Sequence, residues 1–196
     1  AVVICTPPKT HKELALRILK KNKHVYIEKP FCLSLEEANE IISSAKTNKK
    51  IVFVGHLLNY HNGFITLKNK IKNNVIGDVI HIKANRMHFG AIRKFESVIY
   101  DLACHDISMI LGVINELPIQ VSVNTLFKNS KYIPDSVNAI LKFKHNVTAM
   151  INVDWMCPYK EHRFCVLGSK GSLVFDDTKD WKEKLFLNHS RINDSL

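Results

Sequence analysis

Two short groups of residues in this 196-residue chain have the types and spacing that do chemistry. In the first, Glu28, Lys29 and Pro30 close an apolar run that reads as a buried strand, and in open α/β sheets ligands collect at the carboxyl ends of such strands. A lysine there can hydrogen-bond a substrate hydroxyl. In the second, Asp101 and His105 stand at i and i+4, on one face of a helix, so the carboxylate can orient the imidazole. An imidazole held this way can take the proton of an alcohol as hydride leaves the same carbon, the general-base half of a dehydrogenation. Each group also has a plainer reading: a strand-end lysine paired with Glu28, and a helix-capping aspartate beside a hydrogen-bonded histidine. Cys104 reads as packing rather than as a nucleophile.

The elements that must position these groups follow from hydrophobic periodicity. Residues 1–5 are a continuous apolar run stopped by Pro7 and Pro8, the pattern of a strand buried on both faces of a parallel sheet. Thr10 and Glu13 have capping-box spacing, and Leu14, Ala15, Ile18 and Leu19 then repeat as a helix. Residues 24–28 form the next strand. Ser34 and Glu37 form a second capping box, leading into the stripe Ala38, Ile41, Ile42 and Ala45, and residues 51–55 are a third buried strand. Strand, helix, strand, helix, strand in short succession demands a parallel sheet covered by helices, half of a doubly wound domain.

After His56 the pattern changes. A Lys-rich helix over 64–72 runs to a turn at Gly77 and Asp78, followed by a strand over 79–85 with Ile80, Ile82 and Ala84 on one face. Residues 101–113 read as a helix on Leu102, Ile107, Ile110 and Leu111. From Ile119 onward the chain turns to strands and hairpins, at 139–143, 147–155, 164–167 and 172–175, the last two joined through Gly168, Ser169, Lys170 and Gly171. The tail past Leu187 is polar and reads as frayed. The expected fold class is α/β: the C-terminal half of a Rossmann doubly wound domain over 1–57, then a substrate-binding and oligomerisation α+β domain over 58–196 with a mostly antiparallel open sheet.

Bulk properties narrow the function. A formal net charge of +10 suits an anionic partner, but the lysines sit at helix ends and on polar faces, and no helix-turn-helix, RNP or zinc pattern accompanies them. Nucleic acid is therefore not the expected partner. No stretch approaches the roughly 20 apolar residues that span a bilayer. Five cysteines without short paired spacings fit neither a disulfide framework nor a metal site and point to a reducing, cytoplasmic setting. There is no GxGxxG among the seven glycines, which matches a chain expected to be a piece of a longer protein lacking its phosphate-binding loop. The alternative is a noncatalytic fragment that binds a sugar nucleotide or a partner subunit.

Taken in order, these motifs resemble the Gfo/Idh/MocA oxidoreductases, named for glucose-fructose oxidoreductase and inositol dehydrogenase. Residues 2–8 with His11 look like the family's strand and loop passing the nicotinamide ribose, which implies cofactor contacts at Thr6, Pro7, Pro8 and His11. Glu28, Lys29 and Pro30 look like its EKP motif, with lysine beside nicotinamide and substrate and a cis bond before proline. Residues 54–61 are similar to its entry into the second domain, which implies substrate contacts at His56 and Tyr60, and Asp101 with His105 fits its DxxxH helix. The stretches 85–93 and 103–111 look most like a branch oxidising UDP-N-acetylglucosamine or its uronic acid, making Arg86 and Arg93 candidate anion contacts. NAD or NADP would be the cofactor. The resemblance also implies a homo-oligomer formed through the exposed face of the second sheet, with Trp155 near the contact.

Overall fold

The computed structural model describes residues 1–90, 92, 93 and 96–189. It divides into two compact units, Ala1–Leu57 and Leu58–Leu196. Among the described residues no helix is long and apolar enough to cross a membrane.

The first unit holds three parallel strands, β1 (Val2–Ile4), β2 (Val25–Ile27) and β3 (Val52–Val54), in that order across the sheet. Helices α1 (His11–Lys20) and α2 (Leu35–Thr47) pack on each other and close a core of Ile4, Ala15, Leu19, Val25, Ile27, Ile41 and Ala45. The strands were expected to be buried on both faces, but only β2 approaches this. The row Val3, Tyr26 and Phe53 lies in register on the other face, with Val3 62% and Phe53 39% exposed. β1 and β3 are the two edges of this sheet, which explains their exposure.

The two expected capping boxes behave differently. Glu37 N donates to Ser34 Oγ at 3.3 Å, and the Glu37 carboxylate reaches back to Leu33 N at 3.1 Å, one residue earlier than the motif predicts. Thr10 caps nothing. A 3-10 turn, Pro8–Thr10, precedes α1, and the Thr10 hydroxyl donates to Pro7 O at 2.8 Å instead.

The second unit is a seven-stranded sheet, β4 (Val79–Met87), β5 (Gln120–Leu126), β6 (Ser136–Lys142), β7 (Thr148–Asp154), β8 (Glu161–Gly168), β9 (Gly171–Asp176) and β10 (Leu185–Asn188). The spatial order is β10-β9-β8-β4-β7-β6-β5. Every neighbouring pair is antiparallel except β4 with β7. β5 and β10 lie outside the strands predicted individually, and the expectation of a frayed tail beyond residue 189 falls outside the described residues.

Helices α3 (Asn62–Lys72) and α4 (Cys104–Ile114) bury Phe64, Leu67, Met109 and Ile110 with Ile82, Ala84, Ile151, Val153, Phe164 and Val166 of the sheet. Alternation along β4 brings Ile82, Ala84 and Arg86 inward, whereas Ile80 stays 40% exposed because the register with β8 shifts between Val79 and His81. Trp155, expected near a subunit contact, continues the inward alternation of Ile151 and Val153 and is 1% exposed. On the outward face four asparagines stand in register across four strands: Asn85, Asn152, Asn138 and Asn124.

Candidate functional site

In the first unit the site residues lie where the parallel strands end. Thr6 follows β1, Glu28 and Lys29 follow β2, and Gly55 and His56 follow β3. Glu28 is built into this edge: its amide donates to Ile4 O at 3.0 Å, and its carboxylate accepts from Tyr26 OH at 3.1 Å and Lys29 N at 3.3 Å. The Lys29–Pro30 peptide is cis. His56 Nδ1 is buried with no hydrogen-bond partner among the described residues, and burial, then the charge of Lys29, holds its ring below the ordinary histidine range. Lys29 and His56 thus share one end of the sheet.

His11 departs from its expected place beside a cofactor. Its side chain is fully buried. Nδ1 lies 3.0 Å from Pro30 O and 3.3 Å from Phe31 O, while Nε2 lies 2.8 Å from Thr6 O. Both ring nitrogens therefore face backbone carbonyls of the loops after β1 and β2, and the ring donates from whichever nitrogen carries the proton. Pro8 is buried as well, while Thr6 and Pro7 are exposed.

In the second unit the residues before α4 form a π-helical turn, Ile99–Ala103, rather than the start of a regular α-helix. Such turns are rare and recur at functional sites. Asp101 lies inside it, its side chain 15% exposed, with Arg93 Nε 3.6 Å from its Oδ2. His105 follows in the first turn of α4, where its carbonyl accepts from Ser108 Oγ at 2.7 Å. Cys104 Sγ donates to Tyr100 O at 3.0 Å, a packing role. Tyr60 is 61% exposed.

Arg86, expected as an anion contact, is only 6% exposed. Its Nε donates to Asp106 Oδ2 at 2.9 Å and its Nη2 to Asp106 Oδ1 at 3.1 Å, and Asp106 is itself 1% exposed. Burial holds the Asp106 carboxyl above the ordinary carboxylate range, and the guanidinium offsets only part of that rise. Across the sheet Arg86 stands opposite His162, whose ring meets that of His88 edge-on with centroids 5.6 Å apart. Burial and then the Arg86 charge lower His162 to about 4. Asp106, His88 and His162 had not been singled out in the sequence. The signal was present for Asp106, which interrupts the buried stripe Leu102, Ala103, Met109 and Ile110 and so needs a partner.

The first unit offers features that suit a nicotinamide cofactor: three strand ends side by side, an exposed Thr6, Lys29 beside them, and the orphaned buried Nδ1 of His56. Comparison with known proteins agrees. Residues 1–56 match the model of an oxidoreductase family with an NAD-binding Rossmann fold, and residues 64–174 match the C-terminal domain of the Gfo/Idh/MocA family. Myo-inositol 2-dehydrogenase of Thermotoga maritima is 26% identical over 196 residues, covering 92% of this chain and 57% of that protein. A structure of UDP-N-acetylglucosamine 3-dehydrogenase from Acidithiobacillus ferrooxidans superposes with a TM-score of 0.85 at 23% identity, over 97% of this chain and 61% of that one. An inositol dehydrogenase homologue from Azotobacter vinelandii, complexed with NADH and myo-inositol, gives 0.84 at 18% identity, over 96% and 55%. At these identities the two structures speak for the fold alone. The chain spans about half the length of the curated relatives it matches, 52% of that in Escherichia coli YdgJ and 58% of that in the Rhizobium meliloti inositol dehydrogenase. With matched segments covering most of its length, the chain belongs to the Gfo/Idh/MocA family of oxidoreductases.

Proposed function

We propose that this chain is the catalytic part of a nicotinamide-dependent dehydrogenase acting on a secondary hydroxyl of a sugar or polyol. The observation that carries the reading is Lys29, set at the carboxyl end of the central parallel strand with Glu28 anchored behind it. Thr6, Pro7, Lys29 and Pro30 are the residues assigned to hold the nicotinamide end of NAD or NADP, which supplies the hydride acceptor when bound. Lys29 donates a hydrogen bond to the substrate hydroxyl and lowers the barrier to its ionisation. His105 takes the hydroxyl proton as general base. Asp101, in the turn before it, steadies the imidazole, and Arg93 pairs with Asp101 at 3.6 Å. His56 and Tyr60 contribute hydrogen-bonding groups toward the substrate.

The finer substrate assignment is a UDP-sugar, supported by the sequence likeness of 85–93 and 103–111 to that branch. The burial of Arg86 removes one of its two proposed anion contacts, while the inositol dehydrogenases among the relatives favour an uncharged polyol. Turnover of UDP-N-acetylglucosamine and of myo-inositol with NAD by the intact enzyme separates the two. His105→Ala and Lys29→Ala are each expected to lower turnover about 10²-fold or more. Near-normal turnover in both variants would overturn the reading. The assembly proposed with it is a homo-oligomer through the outward face of the second sheet.

A further inference from the structure

We propose that Arg86 and Asp106 are a positioning pair for His105: their buried, two-pronged contact fixes the first turn of α4 on β4 and sets the charge around the imidazole. This rests on the reading of His105 as the general base.

The placement is specific. Asp106 is the residue after His105, so a contact that holds its side chain holds the same helical turn that carries the imidazole. The turn just before is π-helical, its backbone held by wider bonds such as Cys104 N to Ile99 O in place of regular α-helical bonding. The guanidinium supplies a side-chain constraint from the sheet, with Nε and Nη2 on separate carboxylate oxygens at 2.9 and 3.1 Å. Both groups lie on otherwise apolar faces, Arg86 in line with Ile82 and Ala84, Asp106 in line with Met109 and Ile110.

A buried ion pair is weak as a source of stability, because an apolar pair of similar volume commonly serves as well. Geometry and charge are what apolar substitutes lose. The other titratable groups facing the pair are His162 on β8 and His88 past the end of β4; His162 in turn feels Lys160 and Asp177. Asp101, in the turn before His105, and Arg93 upon it are unchanged in the variants below, so removing one member of the pair changes the charge around His105 by that member alone.

Three variants of the intact enzyme test this. Arg86→Met with Asp106→Leu is expected to fold, with turnover reduced about 10-fold or more by displacement of His105. Arg86→Lys keeps the charge without the fork and is expected to fall between the two. Asp106→Asn leaves the cation unopposed, and the His105 imidazole, followed by NMR and identified by its absence in His105→Ala, is expected to titrate at lower pH than in the wild type. Wild-type turnover in the folded double variant overturns the proposal. Should that variant not fold, wild-type turnover in Arg86→Lys with an unmoved His105 titration in Asp106→Asn overturns it. Failure of the functional reading has a separate mark, full activity in His105→Ala, and the titration still reads the pair in that event.

Discussion

His11 Nδ1 lies 3.0 Å from the carbonyl oxygen of Pro30, which fastens the helix after β1 to the loop that carries Lys29. The other ring nitrogen, Nε2, lies 2.8 Å from Thr6 O. A neutral ring donates from one of these nitrogens, so replacing it by leucine keeps bulk but leaves one carbonyl without its donor, at about 1–3 kcal/mol. His11→Leu is therefore expected to destabilise the first unit by about 1–3 kcal/mol. Faster amide hydrogen exchange through residues 27–33 is the direct measure, and unchanged exchange would refute the assignment.

His162 ties stability to pH. Its folded-state pKa of about 4 lies below the ordinary 6.5, so between these values the unfolded chain binds a proton that the native ring refuses. Stability then rises with pH through this window and is lost as pH falls from 6.5 toward 4, by at most about 1.4 kcal/mol per pH unit from this residue. His56 and His81 are lowered too, chiefly by burial, and act in the same direction. Urea midpoints at pH 7 and pH 4.5 should differ less in His162→Gln than in the wild type; equal differences would show that the ring is not the sensor.

Two glycines should respond in opposite ways to alanine. A Cβ on Gly168 would run into the backbone carbonyl of Ile76, which has no rotamer by which to yield. Gly168→Ala is expected to cost about 1–3 kcal/mol. Gly112 lies within α4, where a Cβ would meet Asn59 Oδ1 at 3.4 Å and Lys68 Nζ at 3.7 Å, ordinary contacts with flexible ends. Gly112→Ala should be neutral or stabilise by up to about 1 kcal/mol through helix propensity. Thermal midpoints shifting in the same direction for both would contradict this.

What was legible in the sequence was pattern, and what was not was partnership. The parallel half-sheet, both helices of the first unit and the β8–β9 hairpin follow from apolar periodicity and turn residues, because those signals are local. β5 escaped because all seven of its residues are exposed: an edge strand without a buried face has no alternation to read. The site shows the same division. Lys29 and His105 stand out by motif, but the role of Arg86 depends on Asp106 twenty positions away, and that of His11 on loops 5, 19 and 20 positions away. A charged residue on an apolar stripe announces that a partner exists without naming it.

The outward face of the second sheet carries the last prediction. Ile140 is 39% and Met150 42% exposed, and they are cross-strand neighbours on β6 and β7 beside the asparagine row. A cavity of about 620 Å³ opens there, lined by Asn85, Asn138, Met150, Asn152 and Tyr159 among others. An in-register amide row bordered by apolar side chains suits contact with a second copy, since amides both donate and accept and can pair across a two-fold axis. A stable contact buries about 1,200–2,000 Å² in total, and charges at its centre are poorly tolerated. Ile140→Asp with Met150→Asp is therefore expected to leave the fold intact and convert the intact protein to a monomer, read by light scattering at micromolar concentration. Trp155 belongs to the core and not to this contact, so replacing it should destabilise the unit rather than split the assembly. A monomeric wild type, or an unchanged oligomer in the double variant, would refute the assembly.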